Sequence, residues 1–395
     1  MTLVDFALIA IHGVIVYVWI LFPALLALLR PRHSPSAANP LSGGTPHLAI
    51  LISAYEEEAS IGDRIRNLLE QDYPRANWTA YVGVDGSRDR TGSEALAAAA
   101  DHDAIRVFEF PENRGKVAVL KDLVERACAA APAPEILVFT DANTSFLDRD
   151  ALRRLCDPFS DAATGGVCGK LLFAKGKGTE TEEAVYWRLE TWLKERESAI
   201  DSCLGANGAI YAIRSFLFWW EIPVNTIIDD FVIGMKVREK NYRMVYEPRA
   251  VAVETLPSRI TDEWKRRVRI GAGDFQALRL CAPCLKPSFG TFAWLFWSHK
   301  VLRWFTPHLA LASVLLSAIG GFILRSSTAT FFLGFYAIFG IAALIGRLNF
   351  SGGGRATQLL RGVQYLAVMQ AAIFVGFLRF CRGNLEGRWQ RSGRN

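Results

Sequence analysis

An α/β domain with a mostly parallel sheet, held between membrane-crossing helices, is the fold class this 395-residue chain predicts. Three observations carry that prediction. Short apolar runs alternate with helix-period segments from Leu48 onward, which implies a parallel sheet covered on both faces. Apolar runs of near-spanning or spanning length lie at the two ends of the chain. The stretch between them, His47 to Pro287, has an ordinary globular composition.

Phe6 to Leu29 carries no Lys, Arg, Asp or Glu and is long enough to span a bilayer, so residues 1–30 are read as a membrane helix. A signal peptide fits less well: there is no basic leading segment, the apolar core is too long, and no small-residue cleavage site follows. Arg30, Arg32 and His33 follow directly, and by the positive-inside rule they place the globular region in the cytosol, beneath the plasma membrane. Residues 31–46 are rich in Pro, Ser, Gly and Ala and read as a linker. Over 47–287, strands are expected at "LAILISAY", "WTAYVGVDGS", "AIRVFEF" and "EILVFTDAN". Helices are expected at "IGDRIRNLLEQ", "TGSEALAAAAD", "KVAVLKDLVERACAAA", Glu182 to Ile200 and "FVIGMKVREK". Residues 288–305 mix Trp294, Phe296, Trp297 and Trp304 with Lys300 and Arg303, the pattern of an amphipathic helix lying on a membrane. Three apolar runs, Thr306–Leu324, Phe331–Ile345 and Leu359–Leu378, fill 306–380 as expected membrane helices, and 381–395 is a basic tail. One span before the domain and three after it put the C-terminus outside the cytosol, yet Arg379, Arg382, Arg388, Arg391 and Arg394 argue for inside. The two rules disagree.

The net charge of +6 comes without a Lys/Arg block interleaved with aromatics, so it is read as membrane topology and no nucleic-acid partner is expected. Seven scattered cysteines fit a reducing compartment; Cys281 and Cys284 form an isolated pair, read as structural. The expected spans are few and hold no carboxylate except Asp5 near an edge, which speaks against a transport path.

In a doubly covered parallel sheet, ligands bind beyond the carboxyl ends of the strands. Two such ends carry Asp85, and Asp141 with Asn143. Asp141-Ala142-Asn143 can present two oxygens to one hard cation, Mg²⁺ or Mn²⁺, or form an Asx turn. The oxygens of Asp85 to Thr91 suit a base or ribose, or a helix cap. Asn113-Arg114-Gly115-Lys116 opens a helix, where a diphosphate or plain solvent is accommodated. Gly205-Ala206-Asn207-Gly208 is a turn that lets backbone approach a ligand closely. Asp229 and Asp230 precede a helix and serve as a general base or as helix-terminal charge. Arg266, Arg267 and Arg269 form a phosphate clamp or a solvated basic face.

Taken together in this order, residues Leu48 to Leu280 resemble the inverting glycosyltransferases of family 2 with a GT-A fold, the group of the cellulose, chitin and hyaluronan synthases. "ILISAYEEEASI" looks like the opening nucleotide-binding strand, "VDGSRDRT" the second nucleotide motif, and "NRGK" the loop after it. "TDAN" sits in the slot of the DxD metal motif, "GANGAIYAIR" in that of the acceptor loop, "IDDF" in that of the catalytic base, and "RRVRI" in that of QxxRW. The resemblance implies a donor site of Ala54, Tyr55, Glu57, Asp85, Ser87, Lys116 and Asp141, taking a nucleotide sugar, read as a UDP-sugar. It implies a metal, Mg²⁺ or Mn²⁺, on Asp141 and Asn143. It implies acceptor contacts at Gly205, Asn207 and Gly208, and catalysis by Asp230 as base with Asp229, Arg269 and Arg266. The acceptor class is a lipid-linked or growing saccharide, and a polysaccharide export system is a candidate partner. Tyr186, Trp187 and Trp192 suit an acceptor path or plain core packing. Ser53 and Glu56 replace the usual Pro and Asn; Asn143 replaces the second metal-motif Asp; Asp229 takes the Glu position; Arg266 and Ile270 replace Gln and Trp. Loss of that Trp tilts the reading from long-chain extension toward limited addition. The competing readings are a non-catalytic sugar-nucleotide-binding regulator, a transporter subunit of a secretion system, and nucleotidyl transfer. The last expects a Gly-rich first loop, which "SAYEEEAS" does not supply.

Overall fold

The computed structural model describes residues 1–33, 44–173, 182–254, 260–348 and 354–385. Most of the expected linker and the tail arginines Arg388, Arg391 and Arg394 lie outside the described residues. In chain order the main elements are α1 (Leu3–Leu28), β1 (Leu48–Ala54), α2 (Ile61–Leu69), β2 (Trp78–Asp85), α3 (Thr91–Ala99), β3 (Ile105–Phe110), α4 (Lys116–Cys128) and β4 (Ile136–Phe139). Then come β5 (Thr144–Phe146), α5 (Ala151–Cys156), β6 (Thr164–Phe173), α6 (Glu182–Ile200), β7 (Tyr211–Arg214), α7 (Asp229–Glu239) and β8 (Arg243–Glu254). The chain continues through α8 (Ile260–Leu280), α9 (Thr291–Phe322), α10 (Ser327–Gly346) and α11 (Arg355–Cys381).

The eight strands form one sheet in the order β3-β2-β1-β4-β7-β6-β8-β5. The first four run parallel, as the strand–helix alternation predicts. Beyond β4 the sheet becomes mixed: β7 is antiparallel to β4 and β6, and β5 is antiparallel to β8. Side chains alternate across β1. Leu48, Ile50, Ile52 and Ala54 face Ile61, Ile65 and Leu68 of α2, while Ala49 and Leu51 face Leu120, Leu123 and Val124 of α4. Burial on both faces explains why these strands read as continuous apolar runs.

A third core joins the domain to the terminal helices. It holds Phe22 and Leu26 of α1, Leu193 of α6, Phe231 and Met235 of α7, Phe275 of α8, and Phe292, Phe296 and Trp304 of α9. Arg196 of α6 donates to the carbonyls of Leu26 (2.7 Å) and Leu29 (2.5 Å), satisfying orphan acceptors at the end of α1. Among the described residues four helices, α1, α9, α10 and α11, are long and apolar enough to cross a membrane. The stretch read as a separate interfacial helix, 288–305, is largely continuous with the following apolar run in α9. Its Lys300 and Arg303 turn inward to Glu190 rather than to a lipid surface.

Candidate active site

The carboxyl edge of β1 and β2 is built from loops that lock together. The backbone N–H of Glu56 donates to Ser87 Oγ (3.0 Å), and that of Glu57 to Thr91 Oγ1 (2.8 Å). Gly86 has φ +65°, and a Cβ there would stand 2.4 Å from the backbone N of Asn113, so only glycine admits the third loop. Asp85, 1% exposed, accepts from the N–H groups of Arg114 and Gly115, each at 2.8 Å. Both its oxygens thus hold the 113–115 loop, and through it the start of α4. Ala54 is buried, whereas Tyr55, Glu57 and Ser87 are half-buried along the rim.

Behind the rim lies a charged centre. Lys116, the first residue of α4, donates to Asp141 Oδ1 at 2.7 Å and stands 3.8 Å from Asp229 Oδ2. Asp229 is 5% exposed, and its Oδ2 has no hydrogen-bond partner among the described residues. Burial pushes the Asp229 carboxyl up to about 6; Lys116 opposes the rise, and Asp230 and Asp141 add to it. Burial also raises Asp230, again against Lys116. Burial works to lower Lys116, yet Asp141, Asp229 and Asp230 carry it above the ordinary lysine value. Arg269 is lowered by burial, partly offset by Asp229. Gly208 completes the centre: a Cβ there would sit 3.0 Å from Asp141 Oδ2 and 3.3 Å from Lys116 Nζ. Asn143 gives its amide N–H to Glu254 Oε1 (3.1 Å), which leaves its carbonyl oxygen as the atom it can offer a cation.

From this centre a cavity of about 990 Å³ runs toward the terminal helices. Asp230 and Asn207 stand at its polar end, and Arg266, Trp187, Tyr365 and Trp19 form part of its walls. The structure therefore brings Asp141, Asp229, Asp230, Lys116, Gly208 and the Arg266–Arg269 helix together. Gly205 is set apart: its φ is +68°, and a Cβ would meet Phe231 Cδ2 at 2.4 Å, so it seats α7. Asn207 braces its own turn, donating to the Gly169 carbonyl (2.8 Å) and accepting from Ile210 N (3.2 Å). Of the aromatics on α6, Tyr186 and Trp187 line the cavity, while Trp192 packs against the third core.

Sequence reasoning missed a second charged group on the cavity wall. Glu190 accepts from Lys300 Nζ (2.8 Å), from Arg303 and from His299 Nε2 (3.3 Å); His299 also pairs with Glu197. Lys194 and Asp274 line the same wall. A signal was present: Glu190, Lys194 and Glu197 fall at i, i+4 and i+7, one face of α6, on which Glu190 and Glu197 are buried and Lys194 half-buried.

Comparison with known proteins gives the family and the fold. A model described as Glycosyl transferase family 2 matches residues 49–217, and one described as Glycosyl transferase family group 2 matches 136–345, more than half the chain. The chain is 23% identical over 239 residues to a poly-beta-1,6-N-acetyl-D-glucosamine synthase of Staphylococcus epidermidis, covering 58% of this chain and 55% of that one. It is 24% identical over 238 residues, with the same coverage, to the enzyme of that name from Staphylococcus aureus (strain COL). The chain thus spans about half the length of the curated relatives it matches. In fold it is similar to a mannosyltransferase from Pyrobaculum calidifontis, solved in complex with GDP-Man and Mn²⁺, with TM-score 0.69, 21% identity, and coverage of 96% of this chain and 99% of that one. That likeness bears out the mixed α/β GT-A domain with apolar helices at both ends. The chain belongs to glycosyl transferase family group 2.

Proposed function

We propose that this chain is an inverting, membrane-bound glycosyltransferase. It takes a sugar from a nucleoside diphosphate sugar on the cytosolic side and passes it to a hydroxyl of an acceptor held in the 990 Å³ cavity. One observation carries the reading: Asp230 stands where the charged centre meets the cavity, so one carboxylate faces both a donor diphosphate and an acceptor. The acceptor hydroxyl attacks the anomeric carbon, its proton passes to Asp230, and the bond to the leaving phosphate breaks with its electron pair. Lys116 at the start of α4 and Arg269 on α8 bring positive charge to where the leaving diphosphate becomes more negative. The rim of Tyr55, Glu57 and Ser87 suits the nucleoside, which we assign to uridine; Asp85 serves by fixing the loop that presents Lys116.

The residues present fit a hard divalent cation, Mg²⁺ or Mn²⁺. Asp141 has a second carboxylate oxygen beyond the one held by Lys116, Asn143 has its carbonyl, and Asp229 Oδ2, which accepts no hydrogen bond among the described residues, is close by. Asp141 and Asn143 would hold such a cation, which would supply positive charge to the donor phosphates. The acceptor class is a lipid-linked or growing saccharide, because the cavity reaches from Asp230 to Trp19 on a membrane helix. Export machinery for a polysaccharide is the matching partner class.

The test is release of UDP from a panel of UDP-sugars by the full chain in detergent, with Mg²⁺ or Mn²⁺ and a membrane lipid extract. One donor should give metal-dependent release, with Asp230→Asn slowed by roughly 10²–10⁴-fold while still binding donor, and Asp141→Ala losing donor binding. Equal release by Asp230→Asn and the unaltered chain would remove Asp230 as the base.

A further inference from the structure

We propose that α11 lies flat on the bilayer surface on the domain's side, its outer face against the boundary of headgroups and acyl chains, so that only α1, α9 and α10 cross. The two ends of the helix bundle are marked by specific contacts. At the domain end, Arg196 holds the carbonyls of Leu26 and Leu29, and Glu190 holds Lys300 and Arg303 near the start of α9. At the far end, Asp5 accepts from Ser326, which caps α10, and a Cβ on Gly320 would lie 2.6 Å from Ala329 Cβ and 3.1 Å from Val4 Cγ1. These three helices therefore each join the domain end to the far end.

The fourth helix is placed differently. A Cβ on Gly346, at the returning end of α10, would lie 2.3 Å from the Leu360 carbonyl, so α11 begins at the domain end. It then runs parallel to α8. Arg267 meets Tyr365 (3.0 Å), a Cβ on Gly271 would lie 3.0 Å from Ile373 Cα, a Cβ on Gly376 would lie 2.5 Å from Ala272 N, and Phe275 meets Phe377 (ring centroids 4.9 Å apart). Both ends of α8 belong to the domain: it follows β8, and it leads into buried Cys281 and Cys284, the latter against the Met235 carbonyl of α7. A helix paired along its length with α8 thus starts and finishes beside the domain.

Depth follows from charge. α8 carries Lys265, Arg266, Arg267, Arg269, Asp274 and Arg279, which exclude it from the hydrocarbon, and α11 shares its level. α11 nonetheless exposes apolar side chains, Leu359 (70%) near its start and Val368 (38%) at mid-length, which a helix lying in the plane can set against acyl chains. This placement also removes the conflict between span count and tail charge, because Arg379 and Arg382 then lie on the same side as Arg30 and Arg32. Since Tyr365, Met369 and Ile373 form one wall of the cavity and Trp19 another, the cavity meets the bilayer at headgroup depth.

The chain supplies its own probes, as Cys128 on the domain and Cys381 at the end of α11 are its exposed cysteines. A membrane-impermeant maleimide would be applied to full-chain Cys128→Ser, to full-chain Cys381→Ser, and to Ile323→Cys at the far end with both cysteines replaced, in right-side-out and inverted vesicles. Cys381 should label in the same vesicles as Cys128, and Ile323→Cys in the opposite ones. Cys381 labelling alongside Ile323→Cys overturns the placement. A C-terminal epitope tag read by protease in the same vesicles decides the case where lipid shields Cys381. Cleavage where Cys128 labels supports α11 on the surface, and cleavage only in the opposite vesicles refutes it.

Discussion

Glu190 offers the sharpest test of how the domain is fastened to its membrane helices. Its carboxylate is 6% exposed and is shared by Arg303, itself 4% exposed, by Lys300 and by His299, all on α9. Lys300, His299 and Arg303 hold it well below the usual carboxylate range despite the opposing effect of burial. Glu190→Leu leaves two cations facing apolar surroundings, and removing one partner of a buried ion pair costs about 3–5 kcal/mol. With an unfolding entropy of roughly 2.1 cal/mol/K per residue, the 395-residue chain has about 0.8 kcal/mol/K. The midpoint should therefore fall by about 4–6 °C. The assay is thermal unfolding in detergent followed by tryptophan fluorescence. The triple variant Glu190→Leu/Lys300→Met/Arg303→Met should recover most of the loss, because replacing a whole buried ion cluster by apolar groups is close to neutral. A single variant melting within about 1 °C of the unaltered chain, or a triple variant melting lower still, would refute the reasoning.

Two further outcomes concern α11 and the basic helix α8 that it packs against. Gly376→Leu places a side chain 2.5 Å from Ala272 N and should destabilise by about 1–3 kcal/mol. Gly362→Ala on the same helix meets nothing within 4 Å and should be neutral or stabilising by about 0.5–1 kcal/mol; melting curves of the two compare directly. Asp274 is pushed up to about 8 by burial, with Lys300 opposing and Glu190 adding. A carboxyl raised in the folded state is protonated there while ionised in the unfolded chain, so stability falls as pH rises from its ordinary value of 3.8 to about 8. Asp274→Asn should therefore melt above the unaltered chain at pH 8, with the gap closing as pH falls toward about 4; a gap constant across that range would count against it.

The parallel half of the sheet was legible because its determinants are local. Leu48–Ala54 and Ile136–Phe139 are buried on both faces, so each is an unbroken apolar run, and α2 and α4 show helical spacing. The mixed half was not legible. β8 includes Pro248 and Arg249, and the β6–β8 pairing shifts register between Gly169 and Lys170, so neither strand presents a clean period-two pattern. Asp141, Asp229, Asp230 and Lys116 were found because each opens or closes an element at a sheet edge. Glu190 with Lys300 and Arg303 was not, since the partners are more than a hundred residues apart and their pairing exists only once α9 docks on α6. The same distance explains Lys300 and Arg303: viewed along α9 alone they look like a lipid-facing basic stripe.

The third core has a consequence for any attempt to study the catalytic domain alone. Phe231 and Met235 on α7 are buried by Phe292, Phe296 and Trp304 of α9, with Phe22 and Leu26 of α1 completing the cluster. α7 begins with Asp229 and Asp230, so the helix that positions the proposed base rests on the membrane helices. A piece limited to residues 47–287 would bare that apolar face and lose the cavity walls given by Trp19, Trp304 and Tyr365. Exposed apolar area of that kind drives association. Such a piece is expected to elute from size exclusion as aggregates or in detergent-dependent form, and to lack transfer to a lipid extract even where donor binding survives. A monodisperse, detergent-independent monomer that transfers sugar at the rate of the full chain would show that the base is held by the α/β domain alone, and would separate the chemistry from the membrane helices.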